Sequence, residues 1–262
     1  AEQLAGRLPL RVISSLLGIP EQDEERLSSL SQRMFAQAGA NADVQRTRME
    51  VATQLKAYGR ELGRERRGHP TGDIVSVLVH TEVDGQRLDD DQFEAFFMLL
   101  FNAGAETTRS LLCHLLQALS TAPELAHALR RDHTALPLAI EECARLESPV
   151  VQLRRTATRD TLLHEQGIRA GDKVVVLLAS ANRDETVFTD ADTFDPRRTP
   201  NPHLSFGVGA HFCLGAHIAR MQIRLAMQAV LQRFARIECG PIRYEGSSFV
   251  RSVVSMPVTV WS

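Results

Sequence analysis

Apolar residues fall at helical spacing through the first two thirds of the chain. Leu8, Val12, Ile13, Leu16 and Leu17 form one stripe, which stops at residues 18–20, Gly-Ile-Pro. Residues 21–38 and 44–68 predict two more polar helices. The second ends in Arg64, Arg66, Arg67 and Gly68, which reads as a solvated helix end whose cations suit the helix dipole. A long helix is predicted over 89–121. Asp89, Asp90 and Asp91 stand at its start, with Gln92 placed for a capping box. Its apolar face carries Phe93, Phe96, Phe97 and Leu100, then Leu111, Leu112, Leu115, Leu116 and Leu119. Pro123 opens a short helix, and another covers 136–147.

From Val150 onward the pattern changes. Residues 150–153, 161–164 and 174–178 predict short strands, with turns at Gly167 and Gly171. Pro196, Pro200 and Pro202 mark an irregular loop. A last long helix is predicted over 215–236, with Ile218, Met221, Leu225 and Ala229 on one face. Residues 249–254 and 257–261 predict a closing hairpin. The class is mainly α with small β sheets (α+β), one domain that is helix-rich over 1–148 and β-containing over 149–262.

Composition narrows the function. With 262 residues, 44% hydrophobic and 24% charged, the chain can bury a sizeable core. A net charge of −2 argues against nucleic acid or an acidic membrane surface as partner. At 5% aromatic content, a base-stacking platform is disfavoured. Apolar runs such as 96–101 and 174–179 are too short for a membrane span. The cysteines (Cys113, Cys143, Cys213 and Cys239) are widely spaced, form no C-x-x-C, and predict reduced intracellular thiols. Residue 1 is Ala and no signal peptide opens the chain, so the sequence reads as a processed chain or as an excerpt from a longer one.

Three constellations carry chemistry. Residues 206–215 read Phe206-Gly207-Val208-Gly209-Ala210-His211-Phe212-Cys213-Leu214-Gly215, directly before a helix. Glycines allow positive φ and close approach to a flat partner. A cysteine at a helix N-terminus is favoured as thiolate, hence a metal ligand or nucleophile. The plainer alternative is a structural Cys beside a helix cap. Ala103-Gly104-Ala105-Glu106-Thr107-Thr108 places glycine, a carboxylate and hydroxyls mid-helix, where they cost helix stability or bend it; a small-residue helix crossing is the alternative. Glu142 and Arg145, three apart, precede Phe194-Asp195-Pro196-Arg197-Arg198. A zinc cluster of His203, His211, Cys213 and His217 is a rival for the first constellation, but it uses none of the other residues.

The string 206–215 resembles the haem-binding loop of the cytochrome P-450 family, bacterial soluble type. Phe206, Gly207, Gly209, His211, Cys213 and Gly215 all fall at the family's spacing. The resemblance implies haem b (iron protoporphyrin IX) with Cys213 as the metal ligand, and propionates bound by His211 and by Arg155 at the start of a strand. It implies that Thr107 hydrogen-bonds dioxygen, that Glu106 connects a proton relay, and that Ala103 and Gly104 leave room for oxygen and substrate. Glu142, Arg145 and Arg198 correspond to a buried structural network. Leu99, Ala103, Val150, Val151, Phe249 and Val250 correspond to positions lining the substrate pocket, with core packing as the alternative for Val150, Val151, Phe249 and Val250.

The implied activity is that of a monooxygenase inserting one oxygen atom from O2 into a C–H bond of a hydrophobic substrate. Residues 180–185 and 201–204 look most like members acting on steroids and branched lipids. Electrons would come from a ferredoxin with an NAD(P)H-dependent reductase, with Arg220 and Arg224 as candidate contacts, and the location would be cytoplasmic. The resemblance covers only the family's C-terminal two thirds. The alternative is therefore a truncated, catalytically inactive fragment that binds haem or partners.

Overall fold

A computed structural model of the protein describes residues 5–35 and 42–262. Nine α-helices are found among them: α1 (Arg7–Leu17), α2 (Glu21–Phe35), α3 (Ala42–Gly68), α4 (Ile74–His80), α5 (Asp90–Thr121), α6 (Pro123–Arg131), α7 (Leu136–Leu146), α8 (Leu178–Ala181) and α9 (Ala216–Arg233). The strands are β1 (Gln152–Thr156), β2 (Thr161–Leu163), β3 (Gln166–Ile168), β4 (Lys173–Leu177), β5 (Arg236–Cys239), β6 (Arg243–Tyr244), β7 (Val253–Ser255) and β8 (Val258–Trp261). The part of the helix predicted beyond Phe35 lies outside the described residues.

The chain divides into two compact units. One comprises the residues up to Cys113 with Cys239–Ser247 and Ser252–Thr259; the other comprises His114–Glu238, Ser248–Arg251 and Val260–Ser262. In the first unit, α1 to α5 bury Leu17, Leu27, Val51, Leu55, Val75, Phe93, Phe97 and Phe101 in one cluster. The capping box forms as predicted: Gln92 N–H donates to Asp89 Oδ1 at 2.8 Å, and Asp89 N–H to Gln92 Oε1 at 3.1 Å.

Helix α1 ends at Gly18, whose φ of +69° only glycine adopts cheaply; a Cβ there would also stand 2.0 Å from Asp73 Oδ2. Asp73 caps α4, accepting the Ser76 N–H at 2.6 Å. Arg66 is buried, donating to Asp73 at 2.6 Å and to the Gly18 carbonyl at 2.9 Å. The solvated reading of the basic run is thus corrected at Arg66, which ties three helices together.

In the second unit α6, α7 and α9 bury Leu129, Leu136, Ile140, Ile223, Met227 and Leu231. Arg130 donates to the carbonyls of Leu231, Phe234 and Ala235, closing the end of α9 with a cation. The predicted face of α9 is corrected. Met221 and Leu225 are exposed, and the buried face runs through Ala216, Ile223, Met227 and Val230.

Strands β1 and β4 pair antiparallel from Gln152↔Leu177 to Thr156↔Lys173, and β2 and β3 pair through a turn at His164 with φ +51°. The closing hairpin is also corrected: β7 pairs with β6, while β8 pairs with β5. Pro257 interrupts the run between them and accepts the Gly240 N–H, which directs each strand to an earlier partner.

Candidate functional site

Cys213 lies in the second unit, three residues ahead of α9, with its side chain exposed. Two glycines shape its loop. Gly207 (φ +70°) donates its N–H to Leu204, and a Cβ there would press on the His211 carbonyl at 3.0 Å. Gly209 has φ +64° and opens a single 3-10 turn through His211. Gly215 differs from expectation: its φ is −85°, so it serves as the N-cap of α9 with open space where a Cβ would stand. The Cys213 N–H donates to the Phe206 carbonyl at 2.8 Å, closing the loop on itself. Val208, Phe212 and Leu214 are exposed, Leu214 to 77%. A thiol presented among apolar side chains and bare glycine backbone fits a flat, apolar, metal-bearing group.

The base of this loop is held from α7. Glu142 and Arg145 are both fully buried and meet in a two-pronged pair at 2.7 and 2.8 Å. Arg198 Nε adds bonds of 3.1 Å to both carboxylate oxygens, and Asn201 and the Asp195 N–H add two more. Burial pushes the Glu142 carboxyl up, and these donors outweigh it and hold it below the usual range. Arg145 also donates to the carbonyls of Asn182, Ala191 and Thr193. Asn182, fully buried, accepts from the Leu204 N–H at 2.7 Å and donates to Ser205 Oγ, which itself bonds the Ala144 carbonyl. The predicted trio therefore forms, and it pins the irregular segment that leads into the cysteine loop.

A second acid, Glu141, had no role in the sequence reading. It accepts a two-pronged bond from Arg220 at 2.7 and 2.7 Å and lies 3.1 Å from His203 Nε2. Burial pushes its pKa up, but these partners prevail and hold it at about 2. Arg220 stacks over the Phe206 ring at 4.2 Å. Of the two candidate partner contacts, Arg220 is thus paired with Glu141 while its side chain stays 31% exposed, and Arg224 is exposed. His203 is likewise committed to Glu141, and no cluster of three or more metal-ligating side chains occurs among the described residues. The zinc alternative accordingly has no ligand set. The adjacent pair Glu141-Glu142 was the available signal for this second anchor.

Arg155 lies in β1 opposite Val174, near the end of the strand rather than its start, and is exposed, as is His211. Val150 bridges Val250, and the Val151 N–H donates to the Phe249 carbonyl at 2.9 Å, so these four residues form one cluster. Phe249 is 45% exposed. Val250 is 2% exposed, which makes it core rather than pocket lining.

The remaining predicted residues belong to the first unit. Glu106 is buried on α5, and burial raises its carboxyl pKa against the pull of Arg109, with Glu245 adding to the rise. Arg109, not anticipated from sequence, stands 3.6 Å from Glu106 Oε1 and donates to the Val254 carbonyl at 2.9 Å. Its position three residues after the acid was the signal. The Thr107 hydroxyl donates to the Ala103 carbonyl at 2.8 Å, one turn back. Ala103 and Leu99 are exposed. Gly104 is corrected: the space beside it is filled, since a Cβ would meet Ile13 of α1 at 2.9 Å. It is the small residue of a helix crossing.

A model of the cytochrome P-450 family matches residues 34–251. A methyl-branched lipid omega-hydroxylase of Mycobacterium tuberculosis is 41% identical over 99% of this chain and 61% of its own length. A steroid C26-monooxygenase of Mycolicibacterium smegmatis is 36% identical, over 97% of this chain and 65% of its own. The solved structure of a Mycobacterium marinum cytochrome P-450 in complex with pseudoionone superposes with a TM-score of 0.92 at 40% identity, covering 98% of this chain and 64% of that one. The chain thus spans less than two thirds of the length of these relatives.

Proposed function

The chain belongs to the cytochrome P-450 family, and from that premise we propose that it acts as a haem-thiolate monooxygenase on a hydrophobic substrate. The observation that carries the proposal is the exposed Cys213 on its glycine-bent loop, flanked by exposed Phe212 and Leu214. Cys213 would ligate the iron, and His211 and Arg155 would pair with the propionates. When bound, haem supplies the redox chemistry that activates O2 for insertion into a C–H bond.

The chain's own residues supply protons and shape. Glu106 is poised to hold a proton because burial favours its neutral form. The Thr107 hydroxyl spends its hydrogen on the Ala103 carbonyl, which leaves its lone pairs to accept a proton or a water. Val150, Val151 and Phe249 of the second unit would provide apolar lining, and Leu99 and Ala103 present exposed apolar surface on α5.

A methyl-branched lipid or steroid side chain is the proposed substrate class, supported by the names of the relatives. Electrons would arrive from a ferredoxin and its NAD(P)H-dependent reductase, with Arg224 and the partly exposed Arg220 as candidate contacts. No helix among the described residues is long and apolar enough to cross a membrane, and the proposed location is cytoplasmic.

The test is the carbon monoxide difference spectrum of the reduced, haem-reconstituted protein. Thiolate ligation should give the family's red-shifted band, and Cys213→Ala should abolish it; persistence in the variant would refute the ligand assignment. A type I spectral shift on adding a methyl-branched fatty acid or a 3-keto steroid would support the substrate class, and no shift with either would reject it. A haem-binding chain without turnover is the second reading. A wild type that shows the thiolate band but forms no oxidised product would support it.

A further inference from the structure

We infer that Glu141 is a positioning residue for the thiolate, acting through His203 and Arg220 on Phe206; this rests on the haem-thiolate reading above. Adjacent residues on α7 point roughly 100° apart around the helix, so Glu141 and its neighbour Glu142 serve different segments. Glu142 holds residues 195–201. Glu141 reaches the loop itself.

The chain of contacts is short. Arg220 presents its fork to Glu141 at 2.7 and 2.7 Å and its face to Phe206 at 4.2 Å. The His203 ring also meets Phe206, tilted against it with ring centroids 5.9 Å apart. The Ser205 N–H donates to His203 Nδ1 at 3.3 Å, which leaves Nε2–H to donate to Glu141 at 3.1 Å. Phe206 is only half-buried, so packing alone does not fix it. It contacts a histidine and an arginine that share one carboxylate. Its carbonyl in turn accepts the Cys213 N–H at 2.8 Å. Three links therefore connect Glu141 to the backbone of the metal ligand. Without the carboxylate, the Arg220 guanidinium loses both partners of its fork and the stack loses its anchor.

Amide hydrogen exchange at Cys213 tests the latch in the whole chain without haem. Glu141→Ala and Arg220→Ala should each speed that exchange about tenfold, the worth of one to two hydrogen bonds. The double variant should be little faster than either, because the residues act as a unit. Arg220→Lys keeps the charge but loses the fork and the stack, and should behave like Arg220→Ala. Arg130→Ala is the control. It weakens the far end of α9 by removing bonds to Leu231, Phe234 and Ala235, and should leave the Cys213 amide slow.

Unchanged exchange in Glu141→Ala, or equal acceleration in Arg130→Ala, overturns the inference. In reconstituted protein, Glu141→Ala should shift the carbon monoxide spectrum away from the thiolate band relative to Arg130→Ala. Equal band shares, with the band present in the wild type, also overturn it. A wild type without the band counts against the haem-thiolate reading alone, and the exchange comparison then decides the latch.

Discussion

Arg145 grips Glu142 one helical turn behind it with neither side chain exposed, and every remaining donor of that guanidinium that is used reaches a backbone carbonyl. The pair is therefore a clasp on the chain between α8 and the cysteine loop. Arg145→Leu would leave a buried carboxylate short of its main partner and orphan the Asn182, Ala191 and Thr193 carbonyls. The expected cost is about 3–5 kcal/mol, read as a lowered denaturant midpoint. Arg198→Ala should cost clearly less, since Arg198 is partly exposed and Arg145 would remain on Glu142. Equal losses would contradict this division.

Gly104 and Ile13 make a second prediction. Alanine normally gains about 1 kcal/mol over glycine inside a helix. At Gly104 the added methyl would stand 2.9 Å from the Ile13 side chain, so Gly104→Ala should destabilise instead. Adding Ile13→Ala should make the Gly104→Ala step favourable. A double-mutant cycle on thermal unfolding measures this coupling; additive effects would show that the crossing relaxes by other means.

Burial of Glu106 makes stability depend on pH. Its folded pKa lies above that of the unfolded chain, so the unfolded state releases this proton first as pH rises. Stability from this group is thus present in acid and declines between the ordinary glutamate value and the raised one. Glu106→Gln should remove that decline and raise the melting temperature at neutral pH. Wild-type and variant melting curves that run parallel across pH 4 to 8 would disprove the linkage.

His114 has the opposite chemistry. Burial, with Arg251 as a lesser cause, pushes its pKa down from 6.5 to about 4. The unfolded chain therefore binds a proton near pH 6.5 that the folded chain refuses until about pH 4. Stability is intact above 6.5 and falls through that window, by roughly 3 kcal/mol at most. His114→Gln should flatten the dependence between pH 6.5 and 4, measured by urea unfolding at several pH values. An unaltered slope would place the titration elsewhere.

The long helices were legible because a sustained apolar period and a capping box leave little choice, as at Asp89 and Gln92. Helix α4 was not, because Ile74, Val75, Val77 and Val79 are β-branched and the segment is only seven residues long; Asp73 and Arg66 hold it, and both act from outside the helix. The Glu142, Arg145 and Arg198 trio was readable from a family pattern of order and spacing. The pairing of Arg220 with Glu141 was not legible, because a cation on a helix has the same appearance in sequence whether or not an acid of another helix meets it. Gly104 was misread for a related reason: a missing side chain can leave room or be filled by a neighbour, and only the position of Ile13 decides. The closing hairpin failed because adjacency favours pairing of neighbours, while β5 and β6 offered earlier edges.

The bond from Arg109 to Val254 has a consequence for biosynthesis. Its two ends lie 145 residues apart, and Ser110 beside it receives the Val253 N–H from the same late strand. As the ribosome releases the chain from the N-terminus, α5 is complete long before that strand emerges. The surroundings of Glu106 therefore cannot be finished until translation has passed residue 254. A nascent chain stalled before residue 253 would carry the acid and its arginine but not the backbone that holds the arginine in place.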